Sequence, residues 1–511
     1  MTVAALSMGL GGGSAGASAQ VAGTTGMAAL TNAGALGDAA AAGNRTAAGN
    51  AATGGNADLG TEGGVGTPPR LGQVRPVMAY VANVGAGGDG TVTPIKTSAG
   101  SAGKPIAVGE DPSVIAVAPG GTTAYVLNQD SDTVTPIQTA TSTAGPAIPV
   151  GQEPAAIAFT PDGRTAYVAN AASGTVTPIH TATNTAGAPI SVGSYPSAIA
   201  VTPNGRTAYV ANSGSGTVTP ITTATGTAGA PIAVSGFPAG LAITPDGKTV
   251  YVIGDGEFSG TVTPIATATD TAGTAIALSG YPSAIAITPN GSTAYVANSG
   301  SGTVTPITTA TNTAGAPITL SAFPAGIAIT PDGKTAYVIG DTEYSGSVTP
   351  ITTATNKAGT AIALSGYPSA ITITPNGKTA YVVATGSANG TVTPITTATN
   401  KAGAAINVSS NPSAIAITPD GTTAYVLSQG VASCSGQVTP IKTATNAAAK
   451  VIQISAEPTA IAFTPDSKTA YVVDDYCDLA PGAVTPIAIA TNKAGPSVTV
   501  GVYPRALAIT P

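Results

Sequence analysis

The sequence contains no tryptophan and a single histidine, His180, and only 8% of its 511 residues are charged. One histidine excludes a metal site built from several histidines, and it leaves few combinations for acid–base catalysis. No uninterrupted apolar stretch reaches about 18 residues, so the sequence predicts no transmembrane span. These scarcities predict no metal site, no cofactor and no catalytic residue.

Charge of positive sign is also scarce. The formal net charge is −6 and the isoelectric point is about 4.7. This is the wrong sign for a protein that must neutralise phosphates, so no nucleic-acid partner is expected. What is abundant is small and apolar: the hydrophobic content is 43%, which is not the profile of a charge-rich disordered chain.

The first 70 residues differ from the rest. They contain no Ile, Phe, Tyr or Lys, so they cannot bury enough surface to offset chain entropy and are predicted to form an Ala/Gly-rich low-complexity tail. Ala17-Ser18-Ala19 before Gln20 resembles a signal-peptidase site, which makes 1–19 a candidate signal peptide, although the cationic n-region is missing. We expect a secreted or cell-surface protein; cleavage of 1–19 and a cytoplasmic location stay open.

From residue 71 onward the sequence repeats itself. The tripeptide Ala-Tyr-Val or a near copy recurs ten times at intervals of 42 to 46 residues, with its tyrosine at positions 80, 125, 167, 209, 251, 295, 337, 381, 425 and 471. A fixed period in this range predicts a solenoid, a propeller or a similar array.

Each repeat contains four predicted strands. In one copy they cover 196–202, 207–212, 216–221 and 231–234, and Pro203-Asn204-Gly205 supplies a tight turn after the first. Four short strands in a repeat of about forty residues are typical of a β-propeller blade. The G-H and W-D signatures of WD40 repeats are absent, which excludes that subtype.

The segment Tyr167-Val168-Ala169-Asn170 and its counterparts at 125–128, 209–212 and 295–298 each follow a TPDG- or TPNG-like turn and precede an SGTVTPI-like stretch. In these features 71–511 resembles the YVTN β-propeller repeat family of forty-residue repeats, although other copies begin YVIG, YVVA or YVVD. The resemblance implies a propeller of a kind common on secreted or surface-layer proteins of prokaryotes, and it implies no catalytic residues.

The two ends of the repeat region complement each other. The first repeat lacks its opening strand, whereas 503–511 is an opening strand with nothing after it. Together they complete one blade, which removes free sheet edges. We therefore predict an all-β fold, a single monomeric ring of about ten four-stranded blades; a seven-bladed ring with three extra units is the alternative.

Length variation and charge are both confined to particular loops. Only the gap between the repeated tyrosine and the V-T-P proline varies, from 11 to 15 residues, so the variation lies between the second and third strands. In an antiparallel meander these loops share one face with the crossovers between blades. That face carries a net charge of −13 and the other +7. The charge serves either solubility or attraction of cationic partners. The candidate acidic residues are Asp130, Asp132, Asp255, Glu257, Asp341, Glu343, Asp474, Asp475 and Asp478.

An aromatic residue precedes the opening proline in five successive repeats. These candidate binding residues are Tyr195, Phe237, Tyr281, Phe323 and Tyr367. They either stack on sugars or peptide side chains, or pack on proline to fix the crossover. The ten repeated tyrosines are predicted to be packing residues.

The only two cysteines, Cys434 and Cys477, lie in the second–third loops of adjacent repeats. The sequence predicts a disulfide between neighbouring blades in an oxidising compartment, and two free thiols are the alternative.

Taken together, these features predict a non-enzymatic extracellular or cell-surface binding or scaffold module. Its acidic, loop-variable face would contact a protein or a cell-envelope polymer. A propeller enzyme of the lactonase or lyase type and a purely structural surface-layer spacer are the alternatives. The first-strand segments consist mainly of Ala, Ile, Val, Thr and Ser and offer a central channel almost nothing ionisable, which argues against the enzyme.

Overall fold

The computed structural model describes residues 76–85, 87–256, 260–342, 345–386, 389–430, 435–475 and 480–511. Over these residues the chain is all-β and forms ten small antiparallel sheets, the ten blades of one β-propeller. We number the blades from 1, which contains Tyr80, to 10, which contains Tyr471. The predicted ten-bladed ring is confirmed, and the seven-bladed alternative is wrong. No helix in these ranges is long and apolar enough to cross a membrane. The tail 1–70 lies outside them.

The first two strands of each blade pair with each other, and the second lies inside the sheet. In blade order the first strands are Pro504–Ile509, Pro112–Val117, Pro154–Phe159, Pro196–Val201, Phe237–Ile243, Pro282–Ile287, Phe323–Ile329, Tyr367–Ile373, Pro412–Ile417 and Glu457–Phe463. The second strands are Met78–Asn83, Thr123–Asn128, Thr165–Asn170, Thr207–Asn212, Thr249–Asp255, Thr293–Asn298, Thr335–Asp341, Thr379–Thr385, Thr423–Gln429 and Thr469–Asp475.

The third strand follows, and the fourth is divided into two short pieces that both pair with it. The third strands are Thr91–Lys96, Thr133–Gln138, Thr175–His180, Thr217–Thr222, Thr261–Ala266, Thr303–Thr308, Gly346–Thr352, Gly390–Thr396, Gly436–Lys442 and Pro481–Ala488. The first pieces of the fourth strand are Ser101–Ala102, Thr143–Ala144, Thr185–Ala186, Thr227–Ala228, Thr271–Ala272, Thr313–Ala314, Lys357–Ala358, Lys401–Ala402, Ala447–Ala448 and Lys493–Ala494. The second pieces are Ile106–Ala107, Ile148–Pro149, Ile190–Ser191, Ile232–Ala233, Ile276–Ala277, Ile318–Thr319, Ile362–Ala363, Ile406–Val408, Ile452–Ile454 and Val498–Val502.

The division of the fourth strand was not predicted, and the V-T-P proline explains it. In blade 1 the carbonyl of Pro94 accepts a hydrogen bond of 2.7 Å from the backbone N–H of Gly103, between the two pieces. The N and C=O of one strand residue point to the same side, so the N–H that proline lacks would also face the fourth strand. The ladder is therefore interrupted there, and the strand continues only from Ile106.

The second strands are apolar on both faces because each blade is packed between two others. In blade 1, Tyr80 and Ala82 join the apolar cluster shared with blade 2, whereas Ala79 and Val81 join the cluster shared with blade 10. This alternation follows the period of two that a strand imposes. Ten such clusters of described residues each join one neighbouring pair of blades.

The two ends of the chain close the ring. The last strand, Pro504–Ile509, pairs antiparallel with Met78–Asn83, and Ala79 lies opposite Ile509. Beyond the strand, the hydroxyl of Thr510 accepts a hydrogen bond of 2.9 Å from the backbone N–H of Met78. The predicted completion of one blade by the two ends is confirmed.

Glycine at the start of the third strand lets neighbouring blades approach closely. A Cβ atom added to Gly260 would lie 2.1 Å from Cδ of Pro282, which opens the next blade. Gly346 and Gly390 make the same close approach to Pro368 and Pro412, whereas Gly174, Gly216 and Gly302 at this position have a positive φ instead.

Candidate functional site

The loops divide into two faces, as the strand directions predict. At one end the second–third loops contact the crossovers between blades; the backbone N–H of Ser213, for example, donates a hydrogen bond of 2.9 Å to the carbonyl of Tyr195. We call this the crossover face. At the other end the third–fourth turns contact the first–second hairpins, since the Thr139 hydroxyl donates to the Gly121 carbonyl at 2.6 Å. We call this the hairpin face.

Aspartates in the first–second hairpins accept hydrogen bonds within their own turns. The carboxylate of Asp162 accepts hydrogen bonds from the Thr160 hydroxyl at 2.6 Å and from the backbone N–H of Arg164 at 3.1 Å. These bonds hold the pKa of the Asp162 carboxyl below its usual value. Asp246 and Lys248 repeat the arrangement and form an exposed ion pair of 3.1 Å. Such exposed pairs contribute little to stability.

The ten repeated tyrosines are packing residues, and each side chain is almost completely buried. Every hydroxyl donates a hydrogen bond to the third–fourth turn of the next blade; Tyr295, for example, donates to Oδ1 of Asn356 at 2.5 Å. Burial raises the pKa of Tyr295 to about 12. The rings of the tyrosines are therefore buried, and their hydroxyls are hydrogen-bonded to the next blade. We call each of these hydrogen bonds a latch.

The atom that accepts each latch depends on which residue occupies a left-handed position in the third–fourth turn. Asn356 has a φ of 53°, a left-handed conformation that asparagine and glycine tolerate best. Where glycine occupies this turn, at Gly100 and Gly226, there is no side-chain acceptor. The hydroxyl of Tyr471 then donates to the carbonyl of Thr97 at 3.1 Å, and that of Tyr167 to the carbonyl of Thr223 at 3.2 Å.

The five predicted binding aromatics lie on the crossover face in consecutive blades, 4 to 8. They are the large hydrophobic side chains that are exposed among the described residues: Tyr195 by 60%, Phe237 by 63%, Tyr281 by 46%, Phe323 by 58% and Tyr367 by 46%. We call them the aromatic arc. Exposed apolar surface that is concentrated on one sector of one face is typical of a binding surface.

A hydrogen bond joins the first strand that follows Tyr281 to the one that begins at Phe323. The Ser283 hydroxyl, in blade 6, donates to the carbonyl of Pro324, in blade 7, at 2.8 Å. Tyr281 lies two residues before Ser283, and Phe323 lies one residue before Pro324. The segments that carry these two aromatic side chains are therefore joined by a hydrogen bond close to both of them.

The tyrosine rings at Tyr195 and Tyr281 lie over glycines of the second–third loop. A Cβ atom on Gly214 would be 2.8 Å from Cδ2 of Tyr195, and one on Gly300 would be 3.1 Å from Cδ2 of Tyr281. The crossover itself is held by backbone bonds, such as that from Ser299 N–H to the Tyr281 carbonyl at 2.8 Å. Main-chain hydrogen bonds therefore hold this crossover together with the packing of the ring on glycine.

The two phenylalanines of the arc each lie opposite an aspartate. Phe237 pairs with Asp255 across the first and second strands of blade 5, and Phe323 pairs with Asp341 in blade 7. Burial raises the pKa of both carboxyls. Among the described residues, Oδ1 of each aspartate is buried and has no hydrogen-bond partner. Tyr367, by contrast, lies opposite Thr385.

The other predicted acidic residues are placed differently. Asp130 is exposed, whereas Oδ1 of Asp132 accepts a hydrogen bond of 2.9 Å from the backbone N–H of Glu153 and so fixes the next crossover. Asp475 is half-buried opposite Glu457. The remaining predicted residues, Glu257, Glu343, Asp478, Cys434 and Cys477, lie outside the described ranges, so the disulfide stays a prediction.

Asp474 was expected on the acidic face, but the structure buries it inside blade 10. It occupies the position of the asparagines that end other second strands, and its Oδ2 accepts a hydrogen bond of 2.8 Å from the Thr485 hydroxyl. Burial raises the pKa of Asp474 to about 7, and the hydrogen bond from Thr485 opposes the rise only in part. Asp474 is therefore a packing residue and contributes nothing to the surface.

Within the ranges that the structure describes, no group of three or more His, Cys, Asp or Glu side chains is placed to hold a metal ion. His180 is exposed at the end of a third strand. A shallow cavity of about 330 Å³ beside blade 2 is lined by small and hydroxylated residues: Ala107, Val108, Gly109, Ser131, Thr133, Thr135, Gly145 and Ala147.

Comparison with known proteins supports the fold alone. No protein-family model matches the chain, and no curated protein matches it. Among solved structures, a eukaryotic initiation factor is 11% identical with a TM-score of 0.54, over 86% of this chain and 99% of that one. Hydrazine synthase from Kuenenia stuttgartiensis is 22% identical with a TM-score of 0.38, over 68% of this chain and 96% of that one. The dihydro-heme d1 dehydrogenase NirN is 16% identical with a TM-score of 0.46, over 66% of this chain and 74% of that one. The class that fold and surface define is a ten-bladed β-propeller with an exposed aromatic arc.

Proposed function

We propose that this propeller, of the YVTN repeat type, is a non-enzymatic binding or scaffold module that acts outside the cell or at its surface. It contacts a protein or a cell-envelope polymer through its acidic crossover face. The observation that supports this most strongly is the aromatic arc: five large side chains, between 46% and 63% exposed, lie in consecutive blades on one face. Buried aromatics are the usual anchors of an interface, and exposed ones are available to a partner.

The rest of the face suits the same role. The loops that vary in length between repeats lie on it, and variable loops on a rigid scaffold commonly carry binding specificity. Without the buried Asp474 the face has a net charge of −12, which attracts cationic partners and repels other copies of the same face.

An enzyme of the lactonase or lyase type is the second candidate. The first strands consist mainly of Ala, Ile, Ser and Val, as in Pro196–Val201 and Pro282–Ile287, and Glu457 is the one carboxylate-bearing residue within their bounds. The other side chains supply no general base. Purified protein should therefore show no lactone hydrolysis above the uncatalysed rate, and measured turnover would support the enzyme instead.

The binding role is tested on glycan and peptide arrays with the full chain. The Tyr281→Ala/Tyr367→Ala double variant should lose the binding that the wild type shows. The matched control is Tyr503→Ala, because Tyr503 occupies the same crossover position in blade 1, outside the arc. Equal binding by the wild type and the double variant would contradict a role for the arc.

A further inference from the structure

Members of the arc differ in what lies beside them, and the difference follows a pattern. Both phenylalanines have an aspartate directly opposite on the second strand, Asp255 for Phe237 and Asp341 for Phe323. The second strands next to Tyr195 and Tyr281 end in the buried asparagines Asn212 and Asn298, and Thr385 lies opposite Tyr367. Phenylalanine thus accompanies a carboxylate, and tyrosine accompanies a neutral residue.

The phenylalanine and the aspartate of each pair are close neighbours. Residues directly opposite in an antiparallel pair point to the same side of the sheet, with Cβ atoms about 5 Å apart. The phenyl rings are 63% and 58% exposed, and the aspartates are half-buried. A phenyl ring cannot donate a hydrogen bond, so it supplies no donor to the neighbouring carboxylate.

Each carboxylate lacks a cationic partner within the described part of the chain. The ion pairs found there join lysine or arginine to the aspartates of the hairpin face, at Asp162, Asp246, Asp332 and Asp466. Oδ1 of Asp255 and of Asp341 is buried and accepts no hydrogen bond from a described residue. A half-buried carboxylate is costly unless a donor or a cation compensates it.

Resting on the proposed function, we propose that each Phe–Asp pair binds one guanidinium or ammonium group, and that the partner is an arginine- and lysine-rich polypeptide segment that crosses blades 5 to 7. A cation over the face of an aromatic ring is attracted by the ring quadrupole, and arginine is the more frequent partner. The adjacent carboxylate accepts its N–H groups. One side-chain cation satisfies both members of a pair.

The repeat of the pair defines the partner further. Residues 196–281 and 282–367 are nearly the same two-blade unit, so the pair recurs at every second blade with Tyr281 between the copies. A segment that binds both pairs has a higher overall affinity, because its second contact is intramolecular. The partner therefore carries at least two cationic side chains, separated by residues that cross Tyr281.

The experiment measures fluorescence anisotropy of a labelled nona-arginine peptide titrated with the full chain at low and at physiological salt. The Asp255→Asn/Asp341→Asn variant should bind roughly tenfold or more weakly, since a desolvated cation loses its counter-charge at both pairs. The matched control is Glu110→Gln/Asp130→Asn, which removes the same charge from exposed positions of the same face in blade 2. The control should bind within about twofold of the wild type, because screened charges away from the contact contribute little.

A second variant keeps the proposal falsifiable if the aspartate variant is poorly folded. Phe237→Leu/Phe323→Leu retains the charge and apolar character but removes the ring face, and it should also weaken nona-arginine binding. Circular dichroism and thermal melting establish that each variant is folded.

The outcomes separate this proposal from the proposed function. Equal weakening by the aspartate variant and the control would show net-charge attraction only and overturn the assignment, as would failure of the wild type to bind nona-arginine. Binding of neutral chito-oligosaccharides that depends on the aromatic arc and not on the aspartates would overturn it while retaining a binding function. Arrays that show no ligand of any kind would contradict the binding function itself.

Discussion

Replacement of Asp474 by asparagine should stabilise the protein at neutral and alkaline pH. The carboxyl is buried in blade 10, where its pKa is raised from 3.8 to about 7. The folded state therefore favours the protonated carboxyl, so stability is full below the unfolded pKa and is lost as the pH rises through about 7. At 1.36 kcal/mol per pKa unit, the ionised carboxylate costs about 4 kcal/mol of unfolding free energy above that pH.

Asparagine has nearly the same shape as aspartate and does not ionise, so it avoids this cost. In blade 2 the side-chain amide of Asn128, at the equivalent position, donates to the hydroxyls of Thr133 and Thr135 at 3.0 Å each. The Asp474→Asn variant can donate in the same way to Thr485. It should match the wild type near pH 4 and exceed it by up to about 4 kcal/mol at pH 8.

Urea unfolding followed by circular dichroism between pH 4 and pH 9 measures the difference between the two proteins. The other titrating groups are common to both and cancel in that difference. The mirror variant Asn83→Asp, at the equivalent position of blade 1, should acquire the pH dependence that Asp474→Asn loses. A difference between wild type and Asp474→Asn that does not change with pH would refute the reasoning.

Three further predictions concern the ring. Tyr295→Phe removes a latch to the next blade and should lower the unfolding free energy by about 1 kcal/mol, measured by urea unfolding; no change would contradict the latch. Asn356→Gly should be nearly neutral, because the Tyr295 hydroxyl also reaches the carbonyl of Thr353, whereas Asn356→Ala should cost about 1 kcal/mol more, because alanine is strained at positive φ; equal effects of the two variants would count against this account. Deletion of 504–511 removes the strand that closes blade 1, and it should increase hydrogen exchange at Met78–Asn83 and spare blade 6; uniform exchange would argue against local closure.

The sequence predicts the ring well because its constraints are periodic. The spacing of the repeated tyrosine defines the blades, and the two incomplete ends define the closure. The division of the fourth strand escaped prediction, although Pro94 carries the signal, since a residue without an N–H cannot continue a ladder. The tyrosine latches also had a signal, the asparagine or glycine that recurs in the third–fourth turn.

The candidate site was less predictable because it depends on register between strands. The five aromatics share a position before proline, which the sequence shows directly. The pairing of Phe237 with Asp255 depends in addition on a bulge in the first strand, where the register shifts between Pro238 and Gly240. The prediction of Asp474 as a surface residue was wrong because Asp474 directly precedes the acidic second–third loop in the sequence. Alignment of the repeats would have shown that it replaces the buried asparagine of other blades.

The most direct test of the binding surface uses the absence of tryptophan. Phe237→Trp places the only tryptophan of the protein in the arc, and His180→Trp places it at an exposed strand end on the hairpin face. Addition of nona-arginine should change the emission of the tryptophan at position 237, with a midpoint equal to that of the anisotropy titration, and leave that at position 180 unchanged. Equal changes at both positions, or a saturated anisotropy titration without change at position 237, would contradict the assignment of the arc as the binding surface.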